Sequence, residues 1–92
     1  MSPQSIAPNG QTYTTFDLGC TAALITAGVE LAGLNKSNPK KVQFIFTSEN
    51  GEAEQIVDDY FANRLQVHAR TYFDNLKMVK NRIYSDAAQP HA

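Results

Sequence analysis

The sequence predicts an α+β domain of order strand, helix, strand, strand, helix, helix, with the helices packed on one side of a small antiparallel sheet. Three observations carry that expectation. Residues 18–27 are apolar or small on nearly every face and are closed by Gly28. Residues 41–47 alternate with a period of two after a dense turn signal, and residues 68–84 repeat their apolar positions with the period of a helix. With 92 residues, 42% of them hydrophobic and 18% charged, the chain has the size of one domain and is apolar enough to fold.

Taken in order, residues 1–10 hold two prolines and an Asn-Gly without periodicity, and residues 85–92 are small and polar. Both read as disordered tails around a single domain at 11–84. Tyr13 and Thr14 suit a short extended segment. At 15–17 a hydroxyl or carboxylate can accept from the free amides of a helix start, so the first helix begins there. Leu18, Cys20, Ala22, Ala23, Leu24, Ile25 and Ala27 make it apolar all round, which predicts a central, closely packed helix. Gly28 can take the left-handed conformation that ends it. Cys20 reads as a buried thiol acting as a small hydrophobe, and as the lone cysteine it makes no internal disulfide.

Residues 29–34 then read as a strand, Asn35-Lys36-Ser37-Asn38-Pro39 as a turn, and 41–47 as a half-buried strand that pairs with the first as an antiparallel hairpin. Val42, Phe44 and Phe46 share the face toward the helices, while Gln43, Ile45 and Thr47 share the other. Ser48-Glu49-Asn50-Gly51 breaks the strand. A second helix, from about 51 to 63, turns Ala53, Ile56, Val57, Tyr60 and Phe61 inward and its acids to water, with the acids near its start favoured by the macrodipole. After the apolar link at 65–67, a third helix from about 68 to 84 brings Ala69, Tyr72, Leu76, Val79 and Ile83 within about 80° of one another, with Phe73 at one border. Arg70, Lys77, Lys80 and Tyr84 occupy the adjoining flank.

The order Thr15-x-Asp17-Leu18, Ala22-Ala23-Leu24, Gly28, Phe44-x-Phe46, Val57-x-x-Tyr60, Val67-x-Ala69, Phe73-x-x-Leu76 and Lys80-x-x-Ile83-Tyr84 resembles a family of short bacterial and phage domains of unknown function. The likeness spans about residues 13–84. These positions are mostly core and capping residues, so the resemblance implies a common fold more than a shared activity. It also implies a small intracellular protein associated with phage or mobile elements. The family pattern often carries a carboxylate where His68 stands, so the start of the last helix departs from it.

For function, the informative feature is a segregation of charge. Glu49, Glu52, Glu54, Asp58 and Asp59 stand together without a base, whereas Arg64, Arg70, Lys77, Lys80 and Arg82 are opposed only by Asp74. The formal net charge is −1, so any nucleic-acid contact must arise from this local separation. A hydrolase or transferase needs a nucleophile with a base in reach, and the histidines, His68 at a helix start and His91 in a tail, have no recognisable partner. His68 reads as a residue that caps or borders the last helix. Metal-ligand spacing is missing, the acids lack a calcium-loop register, and the glycines are too dispersed to cradle a phosphate. No metal, cofactor or catalytic residue is therefore expected. No apolar run approaches the length of a membrane span, and Met1-Ser2-Pro3 lacks the basic start of a signal peptide, so a cytoplasmic location is expected.

The expected role is non-catalytic binding. Arg70, Lys77 and Lys80 would combine with Lys36, Lys40 and Lys41 into a phosphate-binding surface if the hairpin turn packs near the last helix. Tyr84 borders that surface. Tyr13, Tyr72 and Phe73 are further stacking candidates, although Tyr72 and Phe73 are better placed to fill the core. The partner is a nucleic acid or a protein of a nucleic-acid-processing complex. The alternative is a homodimeric protein-interaction module, in which a second copy covers the short sheet over Ile45. A solvated basic face without a ligand is the plain structural reading of the same residues, since cations near a helix C-terminus stabilise it in any case.

Overall fold

The computed structural model describes residues 11–38 and 40–87. The chain forms β1 (Gln11–Thr15), α1 (Leu18–Thr26), β2 (Leu31–Asn35), β3 (Gln43–Ser48), α2 (Glu52–Phe61) and α3 (Ala69–Ala87), in the expected order. The sheet is antiparallel throughout and has the order β1-β3-β2, so the expected hairpin partner β3 is its central strand and β1 adds to its other side. The two sequence-expected tails lie largely outside the described residues. The inner boundary of the C-terminal one moves, because α3 continues through Ala87 instead of ending at 84.

β3 shows the period-two pattern directly. Phe44, Phe46 and Ser48 are fully buried, and Gln43, Ile45 and Thr47 keep a minor part of their surface exposed. Phe44 and Phe46 join Cys20, Leu24, Val29, Ala53 and Val79 in one core, with Tyr13, Leu18, Leu31, Leu34 and Ile83 packed around it. On the opposite face Thr12 and Thr14 of β1 stand beside Thr47 and Ile45, and Gly33 of β2 pairs with Ile45 across a register shift. Three helices therefore cover one face of the sheet, and the other is left bare among the described residues.

Local hydrogen bonds explain the ends of α1 and α2. The Asp17 carboxylate accepts from the Cys20 amide at 2.7 Å and caps α1. At the other end Gly28 has φ +100°; its N–H donates to Ile25 O and the Val29 N–H to Leu24 O, both at 3.0 Å. This is a Schellman closure, with Val29 and Leu24 in the hydrophobic contact that accompanies it. The same device ends α2 with asparagine at the left-handed position. Asn63 has φ +63°, its N–H donates to Tyr60 O, and the Arg64 N–H donates to Asp59 O.

Four details differ from the sequence expectation. Ser48, expected in the break, is instead the last residue of β3; its buried hydroxyl accepts from the Ala53 amide and donates to Glu54, both at 3.1 Å. It thereby caps α2 across Asn50 and Gly51, both left-handed. Val29 is buried but precedes its strand. Ala69 is exposed, not inward: α3 has 19 residues and α1 only nine, about 28 Å against about 13 Å, so α1 cannot cover both ends of α3. Phe61 is also exposed, because Tyr60 takes the inward position at the end of α2 and leaves Phe61 about 100° round the helix, edge-on to the Tyr60 ring.

Candidate binding surface

Docking of α3 on α1 determines which of its side chains remain available. Val79 is buried, Tyr72, Leu76 and Ile83 are partly so, and the Tyr72 hydroxyl donates to Gly19 O at 3.2 Å while the Asn75 amide donates to Thr26 Oγ1 at 2.9 Å. On the adjoining flank, Arg70, Phe73, Lys77, Lys80 and Tyr84 are all exposed. Their spacing of three and four residues places them in one row along the helix. Phe73 is 55% exposed and Tyr84 64%, so both rings present large accessible surfaces beside cations of the row. The Lys77 ammonium lies 4.9 Å from the centre of the Phe73 ring, within cation–π range. Phe73 thus leaves the core border expected for it and joins the basic flank.

The hairpin turn does approach α3, but only at its C-terminal end. Lys36 Nζ donates to Ile83 O at 3.3 Å, and Lys40, Lys41 and Ile83 line one cleft of about 270 Å³ with Phe16, Leu18 and Phe44. Lys36, Lys40 and Lys41 therefore gather near the Lys80–Tyr84 end. Arg70 does not join them: thirteen residues separate it from Ile83, about 20 Å along the helix axis. The seven sequence-predicted positions form an elongated row with a basic end, not one compact patch.

Two stacking candidates lie elsewhere. Tyr13 is on β1 opposite Phe46 and packs against the core; burial, with smaller contributions from Cys20 and the nearby acids, pushes its hydroxyl above the ordinary tyrosine value. Tyr72 belongs to a junction of three helices. Tyr60 donates to Tyr72, which in turn donates to the α1 backbone; that bond first, and burial second, push the Tyr60 hydroxyl up to about 12. Beside the two rings is a cleft of about 210 Å³ lined by Ala23, Asn63, Leu65 and Val67. Burial, reinforced by Asp17, raises the Cys20 thiol to about 11, so it remains protonated at neutral pH and is a poor nucleophile. Among the described residues no group of three or more His, Cys, Asp and Glu side chains could hold a metal ion, and no helix is long and apolar enough to cross a membrane.

The acids lie on a separate helix. Glu52, Glu54 and Asp58 of α2 are exposed, and α1 packs against both α2 and α3. Asp59 is the partner of Arg64 at 3.1 Å. Sequence reasoning missed one residue of this surface: Phe16, 50% exposed, with the Lys41 ammonium 4.8 Å from its ring centre. A signal was available. Phe16 precedes the N-cap of α1, where an apolar residue ordinarily staples to the fourth helical residue, but that residue is Thr21, whose hydroxyl donates to Asp17 O.

Residues 10–85 match the model of a domain family of unknown function (DUF5659), and the chain belongs to that family. No curated protein and no solved structure matches it.

Proposed function

We propose that this chain is a non-catalytic binding domain that carries single-stranded nucleic acid, or a component of a nucleic-acid-processing complex, along the exposed flank of α3. The observation that supports this reading is the row of Arg70, Phe73, Lys77, Lys80 and Tyr84, in which three cations and two solvent-exposed rings share one line. Sequence-tolerant single-strand binders combine these two properties, a cationic track for the backbone and aromatic faces for the bases. A role in the cytoplasm of a bacterium or its phage, or on a mobile element, belongs to the same reading and rests on the motif layout. The non-catalytic part is supported by Cys20, whose buried thiol stays protonated at neutral pH and offers no activated nucleophile.

The test is a salt titration on single- and double-stranded DNA and RNA. Binding is expected to weaken steeply with salt, because each neutralised phosphate releases condensed counterions. Replacing Lys77 and Lys80 by glutamine should weaken all sequences uniformly and flatten the salt slope by about one unit for each ammonium removed. No binding to any of these probes at about 50 mM salt would overturn the nucleic-acid reading, and capture of an acidic protein by the same residues would move the function to protein recognition.

A second reading, a homodimeric interaction module, is supported by the bare sheet face with Ile45 at its centre. It is the weaker one on size. Three strands of about five residues present roughly 14 by 17 Å, or about 240 Å², whereas a standard interface covers about 800 Å² on each partner.

A further inference from the structure

Phe16 and Lys41 together line two clefts of different chemistry. The first, of about 160 Å³, is completed by Asn35, Ser37, Asn38 and Gln43. Here the asparagine oxygens are already committed: Asn35 Oδ1 accepts from the Ser37 amide at 2.9 Å and Asn38 Oδ1 from the Lys40 amide at 3.0 Å. Those bonds settle the orientation of both carboxamides: each oxygen has one of its two lone pairs engaged, and the whole NH₂ donor group remains to offer. With the Lys41 ammonium beside them, the cleft is rich in donors and suits a ligand that supplies acceptor oxygens and negative charge. The second cleft is walled by Leu18, Val42, Phe44 and Ile83, with Lys40 also lining it. It suits a flat apolar group.

A nucleotide joins those two chemistries in one molecule. We propose that Phe16 and Lys41 mark a seat for one nucleotide of the strand carried on α3, with its phosphate in the donor-rich cleft and its base against Phe16 in the apolar one. Ile83 lines that second cleft, so the seat continues the α3 row at its C-terminal end, next to Lys80 and Tyr84. The inference rests on the nucleic-acid reading and adds to it a specific site between the entry to α1 and the hairpin turn. It also accounts for a phenylalanine that is half exposed although it enters a helix whose core is fully buried.

The test measures a labelled single-stranded oligonucleotide of mixed sequence, at about 50 mM salt, against the full chain and three variants. Phe16→Leu removes the stacking face and leaves charge untouched. It should weaken binding about tenfold with an unchanged salt slope. Asn38→Asp keeps an oxygen for the Lys40 amide, so the turn is preserved, but replaces the outward donor with a negative oxygen; it too should weaken binding about tenfold. Melting curves verify that both variants stay folded. If the oligonucleotide binds the parent, loses affinity with the Lys77→Gln and Lys80→Gln pair, and binds Phe16→Leu and Asn38→Asp within twofold of the parent, the strand lies on α3 alone. That result overturns the seat and leaves the broader reading standing. Failure of the parent to bind overturns the broader reading and the seat with it.

Discussion

At Gly19 the lack of a Cβ lets the Tyr60 hydroxyl of α2 reach the α1 backbone, with the Tyr72 hydroxyl of α3 beside it. The glycine is there for space: it sits inside a helix and needs no left-handed backbone. Alanine would gain about 1 kcal/mol of helix propensity. Its Cβ would collide with Tyr60 Oη, and overpacking of that kind typically costs about 1–3 kcal/mol. Gly19→Ala is therefore expected to melt below the parent, and to melt no lower than its own background once Tyr60→Phe removes the oxygen. An equal drop in both backgrounds would show that the crowding is not with the hydroxyl. The comparison belongs at neutral pH. The folded-state value of Tyr60 stands above that of the unfolded chain, so its hydrogen bond contributes fully below about pH 10 and is lost as pH rises through about 12.

Among the elements, β3 carries the most information. Its alternation was legible because each strand residue meets either the core or the bare face. Phe44 and Phe46 are accordingly buried, and Phe44→Ala should cost about 3–5 kcal/mol, a large share of the stability of so small a domain. A variant that melts within a degree or two of the parent would contradict the register. The role of Ser48 at the end of the same strand was not legible. A serine followed by Glu-Asn-Gly reads as a turn, and only the path through two left-handed residues returns its hydroxyl to the Ala53 amide. In α3 the periodicity identified the docked face correctly at Tyr72, Leu76, Val79 and Ile83. It failed at Ala69, because sequence period says nothing about how far a neighbouring helix extends.

For the whole molecule, α1 packs against both the acidic α2 and the basic α3, and the two charge sets separate by helix except at the link after α2, where Arg64 pairs with Asp59. A net charge of −1 is thus compatible with a cationic face, and the Debye length of about 8–10 Å at ordinary salt is short enough for that face to act locally. The bare side of the sheet is the other molecular-scale feature. If a second copy covers it, Ile45→Lys should dissociate the dimer and leave a folded monomer, as read by light scattering and circular dichroism. A parent that remains monomeric at high concentration would remove dimerisation from consideration.

The sequence by itself determined the class of fold, the order of its six elements and the charged residues from which a binding surface would have to be built. Those follow from local periodicity and capping, which neighbouring residues specify among themselves. Tertiary structure alone decided which candidates act together. It brought Lys36, Lys40 and Lys41 to the C-terminal end of α3 and left Arg70 about 20 Å away, because the hairpin turn reaches only one end of a helix longer than the element beneath it. It also released Phe73 to the solvent, withdrew Tyr13 and Tyr72 into packed contacts, and set Phe16 against Lys41 across 25 residues of chain. The physical reason is the same each time: burial of an amphipathic residue depends on which surface arrives opposite it, and no residue carries that information alone.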